Sequence, residues 1–520
     1  MRGDITEPVS ELDGDADAQH LASLGYSYEK QFKREMTFWG NVSLGFTYLS
    51  PVVAIYSLFA VSLGVAGPPM FWSLVIVGFG QFFVATVFGE VVAAYPVAGG
   101  VYPWSRRLWG RKWGWMNGWV YLVALLTTIA SVAYGAGPFL STLVGMENST
   151  NSVIIAGLVV IALATILNLG GTKVLNTVAM VGLLAELGGA LAVGTWLLVT
   201  ARQHDLSVLF QSFGAGEGSG YFVAFAAAGL IGIFQYYGFE ACGDVAEEVP
   251  NPGRTIPKAM RMTIYIGGFA AMFVCLSLIL AVPDFAAVIS GADADPVGNI
   301  LLAAFGPVGF KAVLVIVLVS FLSCVVSLQA ATSRLAYSMA RDGILPGSKL
   351  LRTFSESRHV PPYALLLAGL VPALIVIGSK VSSDALTVII SFAAMGMYMG
   401  FQMVVLASLR ARLLGWKPNG AFQLGAWGIP VNIAALVWGV LGMVNMAWPR
   451  TPEDGWFANY VVLISAVTVV VIGLVYMAWK KPYLLGDAPA ADAVPATALA
   501  TTSGNGSDTP TAAAAAKDER

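Results

Sequence analysis

Residues 234–260 read FQYYGFEACGDVAEEVPNPGRTIPKAM, directly after the apolar run YFVAFAAAGLIGI at 221–233. A run that begins so apolar should continue across a bilayer. Instead it meets Tyr236, Tyr237 and Gly238, then the acids Glu240, Asp244, Glu247 and Glu248. Lipid offers no hydrogen bonds, so backbone at membrane depth leaves the helix only where it lines a cavity or is buried in protein. A break in a span therefore marks an interior, and this one decides how the rest of the chain is read.

The composition agrees with a membrane setting. The chain has 520 residues, 57% of them hydrophobic and only 11% charged. A soluble domain carries roughly 25% charged residues. The net charge of −2 gives no basic field for nucleic acid. The cysteines Cys242, Cys275 and Cys324 lie in or beside apolar runs and form no CxxC, so neither a disulfide framework nor a zinc site is expected. Only His20, His204 and His359 are available as imidazoles, which argues against a histidine-bound metal or haem enzyme. No cofactor is expected. The polar start of the chain does not resemble a cleavable signal peptide.

A helix needs ~20 apolar residues to cross the hydrocarbon. Twelve such runs can be read, at 39–62, 70–94, 115–139, 153–170, 174–200, 221–240, 262–282, 312–331, 362–378, 385–409, 427–448 and 458–479. The loop after the seventh run holds a short helical pattern, GNILLAAFG, at 298–306. With the N-terminus placed in the cytoplasm, 24 of the 28 basic residues fall on inner segments. Only Arg202, Lys311, Lys380 and Arg450 fall outside, as the positive-inside rule asks. This predicts a multi-pass protein of the plasma membrane with both termini cytoplasmic. It has a leader at 1–37, a transmembrane domain at 38–482 and a disordered tail at 483–520, poor in core-forming residues.

The first run carries an anomaly like that of the sixth. GFTYLSPVVAIYSLF at 45–59 places Ser50 and Pro51 inside a span, and proline breaks the helical ladder. Interrupted spans at positions one and six each open a block of five, the pattern of an inverted-repeat transporter with its site between the breaks. Ordinary kinks are the bland alternative. After Gly238 the acids fall three and four residues apart, which suggests an amphipathic half-helix facing a water-filled vestibule. A solvated face is the bland reading for Asp244, Glu247 and Glu248. Glu240 lies deeper and is expected to serve as a gate.

These residues resemble the amino acid–polyamine–organocation superfamily. GFEACGDVAEEVPNPGRTIPKAM is similar to its sixth-span motif. GEVVAAYPVAGGVYPW at 89–104 resembles the second-span motif through Glu90, Tyr95, Pro96, Ala98, Gly99, Gly100 and Tyr102. SRLAYSMARDGILP at 333–346 resembles the eighth-span end. LASLGYSYEKQFKREMTFW at 21–39 is similar to the leader of the amino acid/choline transporter branch. The resemblance implies an all-α integral membrane protein with about twelve transmembrane helices. These would form the LeuT-type five-plus-five inverted repeat with two extra C-terminal helices. It implies a substrate that is an amino acid or small amine, with choline-like and GABA-like solutes open.

The resemblance also places the site. Ser50, Pro51, Val52, Val53, Ala54 and Tyr56 would present N–H groups to an anionic moiety at the start of a half-helix. Phe234, Gln235, Tyr236, Tyr237 and Gly238 would offer free carbonyls and aromatic cover to an ammonium. Coupling or gating falls to Glu90, Glu186, Glu240, Ser323 and Ser327, with a proton or sodium as the partner ion. Two departures matter. VVAIY (52–56) stands where relatives often have small residues, and the fifth span lacks the lysine of some proton-coupled relatives. Leu183 falls near that position, and Glu186 is the only charge between Lys173 and Arg202. Import by symport, exchange, and a non-transporting sensor on the same scaffold all remain open, as does the oligomeric state.

Overall fold

The computed structural model describes residues 32, 34–217, 220–381, 385–450, 455–486 and 488–494, and side chains outside 381–391. Most of the expected leader and the tail from 495 lie outside the described residues. Among the described residues the secondary structure is helical, apart from one isolated bridge between Ser355 and Val360.

Every expected span finds a helix. The first span is two helices, α1 (Phe38–Leu49) and α2 (Pro51–Ala66). The second is α3 (Phe71–Ala94), followed by the short α4 (Val101–Trp109). The third is α5 (Arg111–Gly135) with its extension α6 (Gly137–Val144). The fourth and fifth are α7 (Thr150–Leu169) and α8 (Thr172–Trp196). The sixth is α9 (Tyr221–Ala228) and α10 (Leu230–Gln235), ending at a break before the four-residue α11 (Ala241–Asp244). The seventh is α12 (Pro252–Ala281); the loop helix α13 (Phe285–Ile289) follows. Then comes α14 (Pro296–Arg341), which holds the expected loop helix and the eighth span, separated by a kink at Gly306 (φ 64°) and Pro307. A short α15 (Ser348–Leu351) leads to the ninth span, α16 (Pro362–Gly378). The tenth to twelfth are α17 (Ala385–Leu413), α18 (Gly428–Ala447) and α19 (Trp456–Lys480).

Packing follows the exchange that an inverted repeat requires, in which span n takes the place of span n + 5. Span three lies along span ten (α5 on α17), and its counterpart pair, eight on five (α14 on α8), packs likewise. Spans two and seven (α3 on α12) are each other's counterparts and pack together, as do four and nine (α7 on α16). The eleventh and twelfth stand outside this scheme and are poorly covered. Val437, Leu441, Val471 and Val475 are exposed, as a lipid-facing surface would be. Helix length and composition make this a multi-pass membrane protein.

Two expectations are corrected. The acids after Gly238 do not lie on an amphipathic half-helix. The segment is one α turn (α11) and a 3-10 turn at Ala246–Glu248, and Glu240, Asp244 and Glu248 are buried. The paired glycines and prolines of GFEACGD and VPNPG stop the helix before an exposed face can form. The start of the tail is also ordered. Residues 488–494 lie on α4, where Ala491 N–H donates to the Arg106 carbonyl (2.9 Å) and Arg107 pairs with Asp492. Composition foretells no core there, but a strap needs only a preformed surface to dock on.

Candidate functional site

The first break follows from one dipeptide. Pro51 has no N–H and opens α2, where that donor would have gone unused. Ser50 takes a left-handed conformation (φ 41°, ψ 88°), unfavourable for a residue with a side chain. Local bonds hold it there. Ser50 N–H caps α1 at the Phe46 carbonyl (2.8 Å), and Ser50 Oγ donates to Glu186 Oε1 (2.7 Å). Val52 N–H donates to the same carboxylate oxygen at 2.9 Å.

The second break rests against the first. Gly238 has φ 115°, a region that side chains disfavour. A Cβ there would lie 2.7 Å from the Leu49 nitrogen and 3.1 Å from the Tyr48 carbonyl carbon. Gly238 N–H donates to Glu240 Oε2 (2.8 Å), and Tyr121 of α5 donates its hydroxyl to Glu240 Oε1 (2.8 Å). The Tyr237 ring meets Tyr48 edge-on at 6.2 Å and Phe234 at 5.1 Å. These groups are dry, with Tyr48, Tyr237, Gln235, Glu186 and Glu240 all exposed by 2% or less. Yet Tyr48 Oη, Tyr237 Oη, both polar atoms of Gln235 and Glu186 Oε2 have no hydrogen-bond partner among the described residues. Leaving so many buried polar atoms unpaired is expensive, and a ligand that pairs with them would recover that cost.

Not every expected site residue joins this cluster. Ser50, Pro51, Val52, Val53 and Ala54 line the break, all buried; Tyr56 lies a turn beyond, edge-on to Phe139 at 6.2 Å. Phe234, Gln235, Tyr237 and Gly238 line the other side. Tyr236 turns away from the breaks. Its ring is wedged between Gly78 of α3 and Gly268 of α12, and its carbonyl accepts from Gln81 Nε2 (3.2 Å). Two adjacent tyrosines at a break point in opposite directions, and sequence alone does not tell which faces the site.

The coupling candidates also divide. Glu186 and Glu240 reach the breaks. Ser327 Oγ lies 2.7 Å from Thr47 Oγ1, joining α14 to α1 just below the first break. Ser323 Oγ donates to the Ser320 carbonyl (3.0 Å) and faces Gly182 of α8. Glu90 is placed elsewhere. It accepts from Leu424 N–H (2.7 Å) and pairs with Arg412, tying α3 to the end of α17 and to the segment that follows it.

The basic face of the bundle is shut by a second set of groups. Glu248 pairs with Arg334 of α14 at 2.9 Å and accepts from Thr172 of α8 at 3.0 Å. Glu247 pairs with Arg341 (3.3 Å). Arg106 pairs with Asp342, and Tyr102 donates to Asp342 Oδ2 (2.6 Å). Burial first, and the Asp342 carboxylate next, raise the Tyr102 pKa well above its ordinary value, so the hydroxyl stays a donor.

Sequence reading missed Tyr48, Tyr121, Asp244 as a buried group, and Cys324, whose thiol donates to the Tyr48 carbonyl at 3.3 Å. Tyr48, Tyr121 and Cys324 interrupt no apolar run, and the spacing of Asp244 does not tell that it is buried, so only the fold reveals them.

The chain matches the amino acid permease family model over residues 38–485 and belongs to that family. It is 25% identical over 472 residues to the amino-acid permease BAT1 of Arabidopsis thaliana, covering 84% of this chain and 90% of that one. It is 24% identical to amino-acid permease 2 of Neurospora crassa, with 85% and 84% covered. It is 23% identical to the polyamine transporter TPO5 of Saccharomyces cerevisiae, with 88% and 77% covered. The family is one of transporters of amino acids or amines.

Proposed function

We propose that this chain is a secondary active transporter that imports an amino acid or small amine across the plasma membrane, coupled to an ion gradient, with both termini cytoplasmic. The observation that carries the reading is the contact between the two breaks. Gly238 packs on Tyr48 and Leu49, and buried, unpaired polar groups gather on both sides. A channel would need a hydrated polar pore, and these groups are closed off from both faces. The relatives' names, amino-acid permease and polyamine transporter, bracket the substrate class.

Glu186 is the coupling group in this reading. It is the carboxylate in contact with the first break, and it sits where a charge is costly unless it serves function. Leu183, three residues earlier, packs instead against Phe46 and Ala270. A proton arriving at Glu186 would weaken its hold on Ser50 and Val52 and so loosen the junction of α1 and α2. Reconstitution into proteoliposomes tests the function. Saturable uptake that follows an imposed gradient supports it; absence of uptake across a panel of amines and amino acids, with protein shown to be folded, refutes it.

A further inference from the structure

The amino terminus of α2 is a ready anion site, because a helix start presents unpaired N–H groups and positive potential. In this chain that site is already occupied by the protein's own carboxylate. Of the first-turn donors, Pro51 has none and Val52 N–H goes to Glu186 Oε1 (2.9 Å). Val53 N–H goes to Ser50 Oγ (3.4 Å) and Ala54 N–H to the Ser50 carbonyl (3.2 Å). Ser50 Oγ spends its own proton on Glu186 (2.7 Å). No donor of that turn remains for a carboxylate carried by a substrate.

The rest of the cluster has the opposite preference. Glu186 Oε2 is buried without a partner beside the break. Glu240 lies across it, held by neutral donors only. Asp244, one turn further toward the basic face, is buried with both carboxylate oxygens unpartnered. Arg334, the base that acts on Asp244 from α14, is committed to Glu248 at 2.9 Å. Among the described residues none of these three acids is in an ion pair. Around them stand the electron-rich faces of Tyr48, Tyr237 and Phe234. Buried acids without a countercharge, flanked by aromatic rings, attract a cation and repel a second anion.

We infer that the site selects a cationic amine that lacks a carboxylate, with Glu186 filling the place that the carboxylate of an amino acid would take. The inference rests on the transporter reading above. In it, Glu186 Oε2 and the Gln235 side chain receive the ammonium, and Tyr237 closes over the carbon chain.

Matched pairs that differ only by the carboxylate test this: phenethylamine against phenylalanine, isobutylamine against valine, and cadaverine against lysine. The readouts are thermal stabilisation of the purified full-length protein and competition for uptake in proteoliposomes. The expected result is that at least one amine binds about tenfold or more tightly than its amino acid, a difference of ~1.4 kcal/mol. Glu186→Ala should narrow or invert that ratio, because Val52 N–H and Ser50 Oγ become free. If in every pair that binds the amino acid binds wild-type protein as tightly as its amine, the inference is overturned and the transporter reading stands. An unchanged ratio in a folded Glu186→Ala protein overturns the assignment to Glu186. If no member of any pair binds or competes, the transporter reading fails and the inference falls with it. The wild-type comparison decides the matter even if the variant does not fold.

Discussion

Glu248 and Arg334 form an ion pair of 2.9 Å with both side chains 1% exposed, joining the segment after the second break to α14. Removing one member leaves the other charged and buried, which costs about 3–5 kcal/mol where such pairs have been broken. Arg334→Met should therefore lower the thermal midpoint of the purified protein sharply, and so should Glu248→Gln. The double variant should be less damaged than the sum of the two, because each single change removes the same contact. Additive losses would show that the two residues act apart.

Gly238→Leu should abolish transport and leave membrane insertion intact. The side chain would need both a positive φ and space already held by the Leu49 and Tyr48 backbone. Gly188 is the proper control, since a Cβ there meets nothing within 4 Å. Gly188→Leu should keep near wild-type uptake. Gly232 is no control, because a Cβ there would lie 3.1 Å from the Ser73 carbonyl oxygen. Normal uptake by Gly238→Leu would remove the contact between the breaks from the mechanism.

The span pattern and both breaks were legible because lipid punishes polar backbone and proline, so a departure from helix must announce itself in composition. Glu186 was legible for the same reason, as a lone charge in an apolar run. Its partner was not. That Ser50 and Val52 bind Glu186 depends on how α8 lies against the first span, a contact 134 residues apart in sequence. The split of roles between Tyr236 and Tyr237 was illegible because both are aromatic and adjacent. The acids at Asp244 and Glu248 read as a solvated stripe because charge spacing alone does not reveal burial.

Tyr121 of α5 donates its hydroxyl to Glu240 Oε1 at 2.8 Å. Tyr121→Phe keeps the ring and deletes the hydroxyl, leaving a buried carboxylate oxygen without that donor at a cost of about 1–3 kcal/mol. We expect a lower thermal midpoint and slower uptake with normal expression. A variant unchanged in both would show that Glu240 does not depend on the α5 contact.

Orientation is tested by labelling in a background without the three native cysteines. Single cysteines in the exposed loop at 147–149 should react with impermeant thiol reagents on intact cells. A cysteine in place of Ala488, on the basic face, should react only after the cells are opened. The reverse result would invert the topology.

The most direct test concerns Glu186. Glu186→Gln preserves shape and removes the charge that meets Ser50 and Val52. In proteoliposomes we predict that accumulation driven by an imposed pH gradient is lost while exchange of substrate for substrate survives, at a raised substrate concentration because the ammonium keeps Gln235 but loses the charge of Glu186. Gradient-driven accumulation at the wild-type level would contradict the account, and joint loss of accumulation, exchange and thermal stability would make Glu186 a structural group instead.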